Sequence, residues 1–483
     1  MAGPVKGVRA PKGMIRIACG AGSWGDDVGE PRELMRRTTV DYLIMDYLAE
    51  VTLSIMRAQM DKDPAKGFAG DVLTVLRDIL PLMDSAGTRL VTNAGGLNPH
   101  GCARAVTDLL RAAGMGDRFK VAVVDGDDLL AVLPALAGEE AFTSLDDGRP
   151  FSAVAGRILS ANAYLGAAPI REALDGGADI VITGRCADVS LTVGPLLHEF
   201  GWTDWDRIAA GVVAGHLLEC GAQSSGGNYH GWADVAGLEQ VGYPIVEVAR
   251  DGGVVLTKAP GTGGVVNCAT ATEQLLHEIF DPTAVLTPDA TVDWTTIALE
   301  DLGGDRVRVC GVKGAPPPPT LKVSMTYADG WRVVLMWPYA WPRAVAKAQA
   351  ALRKIEATVA RLGLRIDASR ADIFGTGAIH GRRINALPAV EFDPPEVLAR
   401  YAARTEHRAD AMRLAAQQAP MHHGPPGLAG SLAGGRGQAA RIYSHWATVI
   451  AVERVKPRVS FVAADLRAVA ADNAADNAAE NAR

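Results

Sequence analysis

The stretch Gly177-Ala178-Asp179-Ile180-Val181-Ile182-Thr183-Gly184-Arg185-Cys186-Ala187-Asp188 decides the fold. Its β-branched run, Ile180-Val181-Ile182, reads as a strand buried on both faces, and it passes at once into a polar turn. The same order recurs along the chain. Ile15-Arg16-Ile17-Ala18 leads into Gly20-Ala21-Gly22-Ser23-Trp24-Gly25-Asp26-Asp27, and Tyr42-Leu43-Ile44-Met45 into Asp46-Tyr47-Leu48-Ala49-Glu50. Arg89-Leu90-Val91 leads into Thr92-Asn93-Ala94-Gly95-Gly96-Leu97-Asn98-Pro99. Val121-Ala122-Val123-Val124 ends at Asp125-Gly126-Asp127-Asp128, and Ser160-Ala161-Asn162-Ala163-Tyr164-Leu165-Gly166 opens a further unit of this kind. In parallel α/β proteins ligands gather at the carboxyl ends of the strands, where loops are free of packing duty. These polar strand ends point to one shared small-molecule site.

Between these runs lie longer amphipathic segments, so residues 14–258 are expected to form an α/β domain: a mostly parallel sheet with flanking helices. Residues 138–152 read as a surface excursion. Residues 259–319 hold a glycine loop, short strands and the stiff Pro316–Pro319 linker. A smaller α+β domain is expected over 320–465. In it Leu321–Tyr327 and Trp331–Met336 flank Ala328-Asp329-Gly330 as a hairpin, and an amphipathic helix follows over 344–362. Residues 1–13 read as a flexible leader and 466–483 as a low-complexity tail. The Gly/Pro-rich segment from Met421 to Gly437 reads as an exposed loop, with His422 and His423 outside the chemistry.

The 483 residues suit two or three domains, and 48% hydrophobic with 21% charged residues is ordinary globular composition. The net charge of −7 and the lack of a dense basic run argue against nucleic acid. No apolar run is long enough for a bilayer, and no membrane partner is expected. The six cysteines stand singly, which suits reduced thiols and a cytoplasmic location.

Several constellations carry chemistry. Gly20-x-Gly22-x-x-Gly25, with Asp46 further on, matches a dinucleotide fingerprint. Asp26, Asp27 and Glu30 intervene before a helix that Pro31 opens, and such carboxylates would repel a pyrophosphate. A helix over 203–220, capped by Thr203 or Asp204 and ended by Gly221, brings His216, Glu219, Cys220 and Gln223 toward one face. Glu219 there suits a general base, a partnered Cys220 a nucleophile, and Gln223 an oxyanion donor; a His–Glu pair beside a buried cysteine is the structural alternative. Arg185 suits an anion clamp and Asp188 an acid/base group, against a pair that only pins the turn. Lys258 with Gly261-Thr262-Gly263-Gly264 offers amides and an ammonium to a phosphate, against a hinge between domains. Asn93, Gly95, Gly96 and Asn98 can present amides to a carbonyl oxygen. His216 and Cys220 lack a second nearby ligand pair, so no metal is expected.

Taken in order, these motifs resemble the acyclic terpene utilisation (AtuA-type) family from about Met14 to Pro457. The set includes Gly20–Asp27, Asp41–Glu50, Asn93–Pro99, Asn162–Gly166, Gly177–Arg185, Gly215–Gln223, Thr257-Lys258 and Gly261–Gly264. The family's Thr-Gly-Gly after the glutamine stands here as Ser225-Gly226-Gly227. The resemblance implies bacterial catabolism of acyclic terpenoids such as citronellol and geraniol. That route runs through branched acyl-CoA thioesters, by carboxylation, hydration and carbon–carbon cleavage. In relatives a small ferredoxin-like domain is fused behind this region or encoded separately. Its Ala-His-x-Arg-Ser-Gly-Asp-Lys-Gly-type motif does not occur in this chain, so a separate small partner is expected.

The leading expectation is an enzyme acting on a branched acyl-CoA or related carboxylic acid by hydration/dehydration or carbon–carbon lyase chemistry, working as a homo-oligomer. Asp46, Asp188 and Glu219 are its acid/base candidates, Arg185 its anion clamp, and His216, Cys220 and Gln223 complete the catalytic set. Substrate or phosphate is expected at Gly20, Gly22, Ser23, Trp24, Asn93, Gly95, Gly96, Asn98, Asn162, Tyr164, Ser225, Gly226, Gly227, Lys258, Gly261, Thr262, Gly263 and Gly264. No cofactor is named by the residues, and coenzyme A enters only as part of the substrate. An NAD(P)-dependent oxidoreductase and a non-catalytic acyl-CoA-binding subunit are the alternatives.

Overall fold

The computed structural model describes residues 13–379, 394–424 and 437–462. All but Gly13 of the expected leader, the low-complexity tail and residues 425–436 of the Gly/Pro loop lie outside the described residues.

The apolar runs are strands: β1 (Met14–Ala21), β2 (Tyr42–Met45), β3 (Arg89–Thr92), β4 (Val121–Asp125), β5 (Ile158–Ala163), β6 (Ile180–Thr183), β7 (Pro244–Ala249) and β8 (Val254–Lys258). Helices alternate with them: α1 (Glu30–Arg37), α2 (Glu50–Met60), α3 (Asp71–Ala86), α4 (Pro99–Ala112), a single turn α5 (Leu133–Leu136), α6 (Ala168–Asp175), α7 (Ser190–Phe200) and α8 (Trp205–Glu219). The large sheet has the order Ala298–Asp301, Val307–Cys310, β8, β7, β1, β2, β3, β6, β4, Arg458–Phe461. Its five central strands, β1-β2-β3-β6-β4, are parallel. The strands added at both edges run antiparallel, so the sheet is mixed around a parallel centre.

Every residue of β2 and β6 is buried, as strands covered on both faces require. Helix α8 is buried continuously from Ile208 to Leu218, which explains why its polar residues cluster at its end. Asp204 caps it by accepting the Arg207 N–H at 3.2 Å, and Gly221 ends it with φ of +58°.

The chain divides into two compact units, 1–326 with 445–483, and 327–444. The expected boundaries at 258 and 320 differ from this division. Of the strands between them, Ala298–Asp301 and Val307–Cys310 join the large sheet while Val285–Leu286, Thr291–Asp293 and Lys313–Ala315 form a small sheet of their own, and the chain returns after the second unit to add Arg458–Phe461 beside β4. The expected hairpin at Ala328-Asp329-Gly330 is corrected too, since Thr320–Ala340 is one strand of 21 residues. Gly330 takes φ of +80°, and a Cβ there would lie 2.7 Å from the Thr405 carbonyl, so the glycine bends a strand instead of reversing it. In the second unit, Trp331–Ala340 pairs with Glu396–Thr405, which pairs in turn with Ala368–Phe374. The helix Ala344–Arg361 buries Ala344, Ala348, Ala351 and Ile355 in the apolar cluster that also holds Trp337, Tyr339 and Tyr401. Among the described residues, no helix is long and apolar enough to cross a membrane.

Candidate functional site

The carboxyl ends of the parallel strands converge, and their polar residues bond to one another. Asp46 follows β2 and Asn93 follows β3. The Asn93 Nδ2 donates to Asp46 Oδ1 at 2.7 Å, and the Asn93 Oδ1 accepts from the Tyr47 N–H at 2.7 Å. The Leu48 N–H also donates to Asp46, at 3.0 Å. Arg185 follows β6, and its side chain is 1% exposed. Its Nη1 lies 2.9 Å from Asp188 Oδ1 and donates to the Leu48 carbonyl, while its guanidinium carbon sits 4.0 Å above the Tyr164 ring.

Asp127, beyond β4, carries Arg185 from below. Its Oδ2 accepts the Arg185 N–H and the Asn162 Nδ2, each at 2.8 Å. Gly184 permits this approach, because a Cβ there would lie 2.2 Å from Asp127 Oδ1. Burial pushes the Asp127 carboxyl up to about 7.

Burial also raises Asp46 and Asp188, and Arg185 opposes the rise in both. Asp46 raises Asp188 further by its charge and by a side-chain hydrogen bond to it, and Glu219 repels the charge on both. Two carboxyls in such contact cannot both ionise cheaply, so their surroundings favour a proton on one of them. Arg185 keeps the pair's remaining charge balanced.

Above them lies a cavity of about 350 Å³. Leu145, Ala187, Val189, Leu286, Pro288, Pro318 and Val449 give it apolar walls, and Tyr164, Asp188, Glu219, Thr287, Thr320 and Lys322 supply its polar groups. The Asp188 side chain is 32% exposed, and the cavity is where it is open. Lys322 donates to Glu50 Oε1 at 2.8 Å, and the Tyr164 hydroxyl donates to the same oxygen at 2.9 Å. Burial alone would raise Glu50, but its bond and charge contact with Lys322 dominate and lower it to about 2, so this pair is ionic at neutral pH.

Glu219, at the end of α8, meets His216 with an Oε1–Nδ1 distance of 2.8 Å. The other ring nitrogen, Nε2, lies 2.8 Å from the Gln274 carbonyl oxygen, which can only accept. That fixes a hydrogen on Nε2 and leaves one proton between Nδ1 and Glu219. Burial disfavours the charged ring, yet Glu219 and the carbonyl together raise its pKa above the ordinary value. Gln274 returns a bond from Nε2 to the His216 carbonyl at 2.6 Å, and Trp294 packs edge-on against the ring at 5.5 Å.

Other expected site residues have structural duties. The Gly20–Gly25 loop is not a pyrophosphate cradle: the Gly22 N–H donates to Asp26 Oδ2 at 2.8 Å and the Gly25 N–H to Asp71 at 3.1 Å. A Cβ at Gly22 would lie 2.1 Å from the Gly221 nitrogen, so that glycine lets β1 approach the end of α8. Ser23 is exposed and Trp24 half-buried, and neither lines the cavity.

The phosphate reading of Lys258 and Gly261–Gly264 is corrected as well. Lys258 donates to the Thr262 carbonyl at 2.9 Å and pairs with Asp305 at 3.2 Å. The Gly263 and Gly264 amides donate to the Gln240 and Ala236 carbonyls, and the Gly261 carbonyl accepts from Arg37. In the 93–98 loop the Gly96 amide donates to the Asn93 carbonyl, Asn98 caps α4, and a Cβ at Gly95 would lie 2.4 Å from the Thr183 carbonyl. Ser225 donates to the Gly242 carbonyl at 2.6 Å, while Gly226 (φ +98°) and Gly227 close a turn over Ala222. Gln223 lies apart from the cavity, beside Asn228. Cys220 is no activated nucleophile, because burial pushes its thiol up to about 12. The two terminal nitrogens of Arg185 serve Leu48 and Asp188, its Nε is buried with no hydrogen-bond partner, and Arg185 does not line the cavity. Among the described residues, no group of three or more His, Cys, Asp or Glu side chains could hold a metal ion.

The fold and site define an α/β protein with an apolar-walled cavity beside buried, interacting carboxyls at the strand ends. The sequence pattern of the "Acyclic terpene utilisation family protein AtuA" matches residues 15–461, so the chain belongs to the acyclic terpene utilisation family. No curated protein matches the chain significantly. Among solved structures, a homoserine dehydrogenase from Thiobacillus denitrificans is similar at 9% identity over 86% of this chain and 84% of its own, with a TM-score of 0.15. That score carries no argument about fold or function.

Proposed function

We propose that the protein is an enzyme of branched acyl-thioester catabolism in acyclic terpene utilisation, catalysing hydration/dehydration or carbon–carbon lyase chemistry. The observation that carries this reading is the contact of Asp46 with Asp188, two buried carboxyls that resist joint ionisation, with Asp188 in the wall of an apolar cavity that Glu219 shares. A cavity of about 350 Å³ takes roughly a dozen non-hydrogen groups, the size of a branched chain with its thioester. In the dehydrating direction, Glu219 takes a proton from the carbon beside the thioester carbonyl. Asp188 gives its proton to the departing hydroxyl, the carbon–oxygen bond breaks, and water and a conjugated thioester result. Asp46 and Arg185 set the proton on Asp188, and His216 steadies Glu219. Coenzyme A lies outside the cavity as the carrier of the acyl group. A separate small partner and a homo-oligomeric assembly belong to the same proposal.

The test follows absorbance of a conjugated 3-methyl-branched enoyl-CoA mixed with the purified protein. Wild type is expected to consume it, and Asp188→Asn to lose on the order of a hundredfold in rate, as for removal of a general acid. Binding of the thioester without turnover, alone and with the small partner, would replace the enzyme by the non-catalytic acyl-CoA-binding subunit.

A further inference from the structure

We infer that the cavity takes the uncharged end of its ligand, a thioester, ester or hydroxyl, and excludes the free carboxylate of the same branched chain. This rests on the reading that the cavity is the substrate site. It narrows the expectation of an acyl-CoA or carboxylic acid to the first.

The cations beside the cavity's polar groups, Arg185, Lys322 and His216, all have charge partners, and burial lowers His445, which interacts with Glu50 and Lys322, toward the neutral form. Arg185 does not line the cavity: Tyr164 covers one face of its guanidinium, Asp188 lies beside it as its charge partner, and its Nε, though without a hydrogen-bond partner, is buried. Lys322 does reach the cavity, but its charge is cancelled by Glu50 at 2.8 Å, whose carboxylate Tyr164 also holds. His216 lies behind Glu219 and is matched by it. What faces a ligand is therefore Asp188 and Glu219, with no unmatched positive charge among the described residues lining the cavity. A carboxylate placed there meets like charge inside apolar walls, where water screens poorly. An uncharged carbonyl or hydroxyl oxygen instead accepts the proton that the Asp46–Asp188 pair holds. A protonated carboxyl facing the ligand matches a neutral acceptor better than a carboxylate.

Calorimetry with three probes tests this near neutral pH: a ten-carbon branched acid, its methyl ester and its primary alcohol. The ester and alcohol are expected to bind, and the acid to bind on the order of tenfold to a hundredfold more weakly. Glu219→Gln removes one facing carboxylate and is expected to narrow that gap, whether or not the variant turns over any substrate. Acid binding as tight as ester binding, or a gap unchanged in Glu219→Gln, would overturn the inference while leaving the proposed chemistry standing. Failure of all three probes would overturn the cavity as the site, and the inference with it. Conversely, a protein that discriminates as expected but never turns over a thioester refutes the enzyme and keeps the specificity.

Discussion

Replacing Asp127 by Asn should make the protein more stable at alkaline pH and leave it nearly unchanged in acid. Asp127 is 3% exposed, and its Oδ2 accepts the Arg185 N–H and the Asn162 amide. Asparagine keeps a carbonyl oxygen at that place and puts its amide where Oδ1 stands, so it mimics the protonated acid. In the folded protein the carboxyl titrates at about 7, against 3.8 for the free group. The unfolded chain therefore releases its proton at lower pH than the folded one. Wild type holds the full contribution of the neutral acid below the unfolded value and loses it as the pH climbs toward about 7. Each tenfold difference in proton affinity between the two states is worth about 1.4 kcal/mol, so the whole loss is on the order of 4 kcal/mol. Roughly 2 to 3 kcal/mol of it falls between about pH 5 and pH 8. The introduced asparagine does not titrate, so the stability difference between variant and wild type should widen by that amount across the interval. Urea unfolding of both proteins over this range measures it, and all other titrating groups cancel in the comparison. A difference that stays constant with pH, or that shrinks as pH rises, would refute the assignment of a neutral buried acid beneath Arg185.

Arg185→Met removes the cation from Asp46 and Asp188, and denaturant melts should show a loss of about 3–5 kcal/mol. That deficit should shrink as the pH falls, because protonated carboxyls no longer need the guanidinium. Gly22→Ala would place a methyl group 2.1 Å from the Gly221 nitrogen and should cost about 1–3 kcal/mol in thermal or urea unfolding, displacing the end of α8 that carries Glu219. Iodoacetamide at neutral pH should modify exposed Cys310 first and leave Cys220 largely intact, read by peptide mass spectrometry, because the Cys220 thiol ionises only near 12.

The strand ends are legible in the sequence because a buried strand needs an unbroken apolar run and a loop after it does not. Asp46, Asn93, Arg185 and Asp188 stand out on that contrast, and the structure brings them together. Asp127 also ends such a run, but it acts on a backbone N–H of Arg185. Only the pairing of β4 with β6, Val124 opposite Thr183, places it there. Glu50, Tyr164 and Lys322 meet across sequence separations of 114 and 272 residues, which no local pattern encodes. Gln274 and Trp294 come to His216 in the same way. The glycine loops mislead for a definite reason. Glycine also serves where two backbones must touch, and at Gly22 and Gly263 the neighbours are the Gly221 nitrogen and the Gly237 carbonyl, not a phosphate. The sequence lets the smaller domain run on to residue 465 because nothing in a strand such as Arg458–Phe461 tells which sheet edge it will join.

The most direct test of the account is infrared spectroscopy of the C=O stretch of a protonated carboxylic acid, recorded in light and heavy water at about pH 8.5, where Asp127 is largely ionised. The account predicts such a band in wild type and its loss in Asp188→Asn, because Asp46 beside Arg185 then has no carboxyl to share a proton with. A wild-type spectrum with no band, or a band that persists unchanged in Asp188→Asn, would contradict the proton-holding pair on which the proposed chemistry stands.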